Sequence, residues 1–152
     1  MKLLKYFSLV AVTVFLLALP VSANNSSTTT YSYSLPDMQY YVVYRPGQYK
    51  SDTTPAYVDF QSTDYVFSAY GVNYSIHGGY NNQTVSANCT SYVSSCRIYG
   101  GTSRRIHTNV NEWGYSYAFI GLNAPNPTVA GNTASGVWSP DSSSGNSAPF
   151  AN

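Results

Sequence analysis

Few side chains in this 152-residue chain are of a type that makes or breaks bonds. Beyond the many hydroxyls there are six acids (Asp37, Asp52, Asp59, Asp64, Glu112, Asp141), two histidines (His77, His107) and two cysteines (Cys89, Cys96). Glycoside hydrolysis needs two carboxyl groups placed across a cleft, and Asp64 with Glu112 is the pair that would serve. Their spacing does not favour it, and solvated charge or turn-forming Asp is the simpler assignment. Glu112 is the one Glu of the chain and precedes Trp113-Gly114, a position suited to capping a tight turn. His77 and His107 stand thirty residues apart with no close Cys/His or Asp-x-Asp cluster, so neither a metal site nor a cofactor is expected. Gly-x-Ser-x-Gly, the Walker loop, Gly-x-Gly-x-x-Gly and His-Glu-x-x-His are all absent. The chain therefore reads as a non-enzyme, with a small hydrolase the least favoured alternative.

Groups suited to binding are more plentiful. Tyrosine is the outstanding residue, with sixteen in the chain, and it joins a broad apolar ring to a polar tip, which suits sugar stacking and other recognition surfaces. Tyr40, Tyr41, Tyr44, Tyr49 and Tyr57 are concentrated in one stretch, and Trp113 and Trp138 add two larger platforms. Arg97, Arg104, Arg105 and His107 form the one basic concentration. A strand over 105–110 places Arg105, His107 and Asn109 on one face and Ile106, Thr108 and Val110 on the other. The polar face would meet anionic glycans, wall polymers or lipid headgroups, or would simply keep an edge strand soluble. The candidate binding residues are Tyr40, Tyr44, Tyr57, Arg105, His107, Trp113 and Trp138. Because Leu, Ile and Met are scarce, most tyrosines are expected to fill the core instead.

Cys89 and Cys96 are separated by six residues. In an exported protein this pair most simply closes a disulfide across a short loop, worth about 2–2.5 kcal/mol. The Cys-x-x-Cys spacing of redox catalysts is absent.

The elements that must carry these groups are strands. The chain is β-branched and aromatic and is interrupted at short intervals by Gly, Pro, Asn and Asp. Strands are predicted over 38–44, 56–60, 65–72, 84–87, 97–99, 105–110, 115–122 and 134–138. In 56–60 the alternation is clean, with Ala56, Val58 and Phe60 on the core face. In 115–122 both faces are apolar, as a central strand covered on both sides would be. Arg45-Pro46-Gly47, Gly78-Gly79, Gly100-Gly101 and Ala124-Pro125-Asn126-Pro127 supply turns. The expected fold is all-β, an antiparallel β-sandwich of about eight short strands with one disulfide loop.

At the start, Lys2 and Lys5 precede an uncharged, mostly apolar stretch of 14 residues over 6–19, and Pro20 leads into the small-x-small pattern Val21-Ser22-Ala23. This order is that of a cleaved secretory signal peptide, and the stretch is shorter than the roughly 20 residues a membrane span needs. The expected organisation is a signal peptide over 1–23, a flexible arm over 24–30, a β-sandwich domain over 31–140 and an irregular tail over 141–152. No transmembrane segment is expected in the mature form. After Ala23 five basic residues face six acidic ones, a net charge of −1, which argues against nucleic acid as a partner.

Two segments, Asn109-Val110-Asn111-Glu112-Trp113-Gly114-Tyr115-Ser116-Tyr117-Ala118 and Ala134-Ser135-Gly136-Val137-Trp138-Ser139-Pro140-Asp141-Ser142, resemble stretches of small, uncharacterised proteins exported by Gram-positive bacteria, some of them called bacteriocin-like. The resemblance covers about twenty residues. It implies a secreted β protein and a role against or between cells, and it supplies no catalytic residues. The sequence thus leads to a secreted, non-enzymatic protein that recognises a cell surface, glycan, wall polymer or protein through a Tyr/Trp-rich face, with a bacteriocin-like toxin as the alternative.

Overall fold

A computed structural model describes residues 28–36, 41–142 and 147–151. The expected signal peptide, the first residues of the arm and Tyr40 lie outside the described residues. Among the described residues ten strands form: β1 (Thr29–Ser34), β2 (Val42–Val43), β3 (Gln48–Tyr49), β4 (Ala56–Phe60), β5 (Val72–Gly79), β6 (Ala87–Asn88), β7 (Cys96–Ile98), β8 (Thr102–Ile106), β9 (Tyr117–Asn123) and β10 (Thr133–Ser139). Among the described residues one short helix, α1 (Tyr65–Tyr70), stands between β4 and β5. The fold is all-β, in two sheets whose strands pair antiparallel.

Sheet A has the order β1-β10-β4-β8 and sheet B the order β2-β9-β5-β6, with β3 also pairing β9 and β7 also pairing β5. Strand β4 buries Ala56, Val58 and Phe60 completely and leaves Tyr57 and Asp59 half-buried, as its alternation demands. Strand β9 lies inside sheet B, with β5 on one side and β2 and β3 on the other, which explains its two apolar faces. One apolar cluster draws on both sheets, joining Tyr31, Val58, Phe60, Ile106 and Trp138 to Tyr74, Ile76, Ile120 and Leu122. At its centre the hydroxyls of Tyr31 and Tyr74 share a hydrogen bond of 2.8 Å, and Phe60 packs edge-on against Tyr74. Gly136 makes that contact possible, since a Cβ there would lie 2.7 Å from the Tyr31 hydroxyl and 2.1 Å from the Asp59 carbonyl oxygen.

Several expectations are corrected. Residues 65–70 form a helix rather than a strand: Phe67 and Ser68 donate their N–H groups to the Asp64 carbonyl, and Gly71 at φ 68 ends the turn. The helix is held down by Phe67, which is buried and packs edge-on against Phe60 at 5.2 Å. The strand that follows, β5, was not anticipated, although Val72, Tyr74 and Ile76 alternate into the core. The strand expected over 105–110 is shifted toward the N-terminus and runs Thr102–Ile106. Strand β1 begins at Thr29, inside the stretch expected to be a flexible arm. The expected tail is anchored at both described ends: Asp141 is buried beside Lys50, and Phe150 pairs with Arg105 as a parallel bridge.

The expected disulfide is also corrected, because Cys89 and Cys96 are both free and buried. Cys89 donates its N–H to Ile76, and Cys96 pairs with Tyr74. The two therefore sit in line along one edge of β5, two strand positions or about 7 Å apart, at the far limit of what a disulfide spans.

Candidate functional site

The site is built where β8 runs out. Arg105, on the last turn of pleat in that strand, donates its N–H to Pro149 and its Nε–H to Ala148, while Ala151 donates its N–H back to the Arg105 carbonyl. These bonds lay residues 148–151 along the open side of β8. Beyond the strand, His107 accepts the N–H of Ser91 on its carbonyl, and Asn109 donates its N–H to Cys89. Ser91 Oγ donates to Asn109 Oδ1 at 2.7 Å. The loop between β6 and β7 is thereby fastened beside His107.

Four side chains from three parts of the chain meet on this frame. The Phe150 ring stacks on His107 with centroids 4.0 Å apart and planes within 5°. The Arg105 guanidinium carbon lies 4.2 Å from the centre of the same ring. Tyr92 meets His107 edge-on at 5.7 Å. Each aromatic contact contributes about 0.5–1.5 kcal/mol and the cation–π contact about 0.5–1 kcal/mol, enough to hold the rings in place. Tyr92 is 93% exposed and has a φ of 70°, a left-handed backbone that a Tyr adopts only at a cost and that is concentrated at functional sites.

Tyr92, His107 and Phe150, with Ser91, Val93, Cys96 and Ala151, line a hollow of about 450 Å³. The volume falls within the range of small-ligand sites. Its lining contains no carboxylate. Cys96 in the lining has its thiol pKa raised by burial, so little of it is thiolate at neutral pH. The lining presents flat rings, an imidazole and the hydroxyls of Ser91 and Tyr92.

Of the residues expected from sequence, Arg105 and His107 stand at this site, on the outward side that strand alternation assigns them while Ile106 and Thr108 are buried. Tyr57 is the cross-strand partner of Arg105 and donates its hydroxyl hydrogen to Ser103 Oγ at 3.3 Å. Tyr44 is half-buried and packs edge-on against Tyr33 at 5.3 Å, away from the hollow's lining. Trp113 is 52% exposed on the turn over 110–114. Trp138 is no platform: it is fully buried on the inward side of β10, opposite Val58. Asp64 precedes α1 and Glu112 lies on the turn beside Trp113, and neither lines the hollow. Tyrosines are mostly outside the core: among the described residues Tyr31 and Tyr74 are buried and the others are half-buried or exposed.

Tyr92 and Phe150 were missed from sequence. Phe150 lay in a Ser-, Gly- and Pro-rich stretch, and the left-handed backbone of Tyr92 has no signature in a chain where tyrosine is everywhere. A second arrangement was also hidden: Ser75 Oγ and His77 Nε2 are 2.8 Å apart on the face of β5 away from the core. Ser75 is fully buried, and burial pushes the His77 pKa down to about 4, so this pair is a packed hydrogen bond within the sheet.

Among the described residues, no group of three or more His, Cys, Asp or Glu side chains gathers as a metal site, and no helix is long and apolar enough to cross a membrane. No curated protein and no solved structure matches the chain. Residues 19–142 match the family described as "Protein of unknown function (DUF2712)", and the chain belongs to that family.

Proposed function

We propose that this is an exported, non-enzymatic β-sandwich protein that binds a cell-surface or cell-wall glycan in the hollow formed by Tyr92, His107 and Phe150. The observation that carries the reading is an exposed tyrosine on left-handed backbone, set against a stacked His-Phe pair beside a 450 Å³ hollow. Sugar rings offer C–H faces to aromatic planes and hydroxyls to polar tips, and Tyr, His and Ser supply both kinds of partner. The sandwich reading is supported by the single apolar cluster shared between the two sheets.

The test is binding of the purified protein to Gram-positive wall preparations and to a panel of immobilised glycans. Tyr92→Ala is expected to weaken binding at least tenfold while the protein stays folded, with stability lowered by no more than the about 0.5–1.5 kcal/mol of its one ring contact, because Tyr92 is exposed. Absence of binding to every wall or glycan preparation, or full binding by Tyr92→Ala, overturns the proposal. The bacteriocin-like alternative is read in the same experiment as growth inhibition of related strains by the purified protein.

A further inference from the structure

Lys50 is the one lysine after the expected cleavage site, and it is among the largest fully buried side chains in the molecule. Lysine is almost never fully buried unless it is paired. Here Nζ donates to the Thr54 carbonyl at 2.5 Å, to the Pro140 carbonyl at 2.8 Å and to Asp141 Oδ1 at 3.0 Å. Asp141 is equally buried, with no side-chain exposure, and its Oδ2 accepts from Ser51 Oγ at 3.0 Å. A third group, the Asp52 carboxyl, interacts with Asp141 and accepts the Thr54 N–H at 2.8 Å. A buried ion pair is weak evidence for stability, since apolar residues of the same volume often serve as well. A buried amine and a buried carboxyl in contact, with a half-buried second carboxylate beside them, are, however, the reactants and the proton carrier for amide formation.

We propose that Lys50 and Asp141 condense to an intramolecular isopeptide bond, with Asp52 carrying the proton. The ammonium directs two N–H bonds at backbone carbonyls and the third at Asp141. When the third proton passes to the Asp141 carboxylate, the amine keeps its two carbonyl partners and its lone pair lies along the line to that carboxyl. Nζ then attacks Asp141 Cγ, forming the N–C bond and a tetrahedral centre. A proton passes from the nitrogen to the departing hydroxyl, which leaves as water, and Asp52, on the Asp141 side of the site, relays it. The sum is ammonium plus carboxylate giving amide plus water, with no change in oxidation state and no external reactant. Burial raises the Asp141 pKa against the opposing pull of Lys50, which favours the neutral acid that the attack requires. For Asp52, burial acts upward, but the hydrogen bonds from Thr54 hold it below the ordinary value, which keeps it an acceptor. Holding the reactants in contact and excluding water favour condensation over the reverse hydrolysis.

The bond would tie the end of β3 in sheet B to the end of β10 in sheet A, cross-linking the sheets of a protein facing the outside of the cell. The test is the intact mass of the folded full-length protein after export, measured with thiols reduced, followed by peptide mapping. The expected result is a mass one water below that of the processed sequence and a branched peptide joining Lys50 to Asp141. Lys50→Arg, which keeps the charge but not the nucleophile, should show the full mass, and Asp141→Asn should lose ammonia in place of water. Asp52→Ala is expected to slow bond formation at least tenfold. An unmodified wild-type mass after prolonged incubation overturns the proposal, as does loss of water without the branched peptide, which would be a cyclised Asp141. Bond formation at the wild-type rate in Asp52→Ala overturns the role given to Asp52.

Discussion

His77 shows how one side chain reports on its surroundings. In the unfolded chain it takes up a proton near its ordinary value of 6.5, whereas burial holds the folded form neutral down to about 4. Acidification through that interval therefore favours the unfolded state, by an amount on the order of 3 kcal/mol when complete. The expected outcome is a urea midpoint that falls between pH 6.5 and 4 in wild type and falls much less in His77→Gln; parallel profiles would show that His77 is not the group responsible. Burial acts on the cysteines too, pushing the Cys89 thiol up to about 11 and raising Cys96. Both should resist a thiol-specific alkylating reagent at neutral pH in the native protein and react fully in denaturant, and fast labelling of the folded form would contradict this. At this scale the sequence disclosed which groups were available. It did not disclose that the two cysteines stand in line on one strand edge, because loop length alone does not set their separation.

Elements differ in how openly they were written in the chain. Strands β4 and β9 carry their burial in their own alternation, so each could be read from a handful of residues. Strand β5 was hidden because Gly78-Gly79 looks like a turn, and only pairing with β9, β6 and β7 makes its neighbourhood a strand. Gly136 in β10 has a structural duty that its type alone does not reveal. Gly136→Ala should lower stability by about 1–3 kcal/mol, because its Cβ would meet the Asp59 carbonyl and the Tyr31 hydroxyl; thermal melting with unchanged stability would refute the close approach. The C-terminal segment is an element by docking rather than by sequence. Truncation before residue 147 removes Phe150 from Arg105 and His107 and bares the edge of β8. The shortened protein is expected to lose the glycan binding proposed for the hollow and to self-associate more readily in sedimentation experiments.

For the molecule as a whole, the test of architecture is the contrast between its two tryptophans. Trp138 lies in the cluster joining the sheets and Trp113 lies on an exposed turn, so Trp138→Ala should cost about 3–5 kcal/mol and Trp113→Ala within about 0.5 kcal/mol by urea unfolding. Comparable losses at both positions would mean that the sheets do not share one core. Composition by itself determined the β class and the turn-rich plan, since β-branched and aromatic runs broken by Gly, Pro and Asn suit a pleated surface and little else. Local period determined the faces of β4 and the outward placement of Arg105 and His107. Only the tertiary structure decided that Trp138 points inward, that Tyr92, His107 and Phe150 form one site, and that Lys50 meets Asp141. Those residues are far apart in the chain, and their meeting depends on sheet order and register, which short-range alternation does not encode.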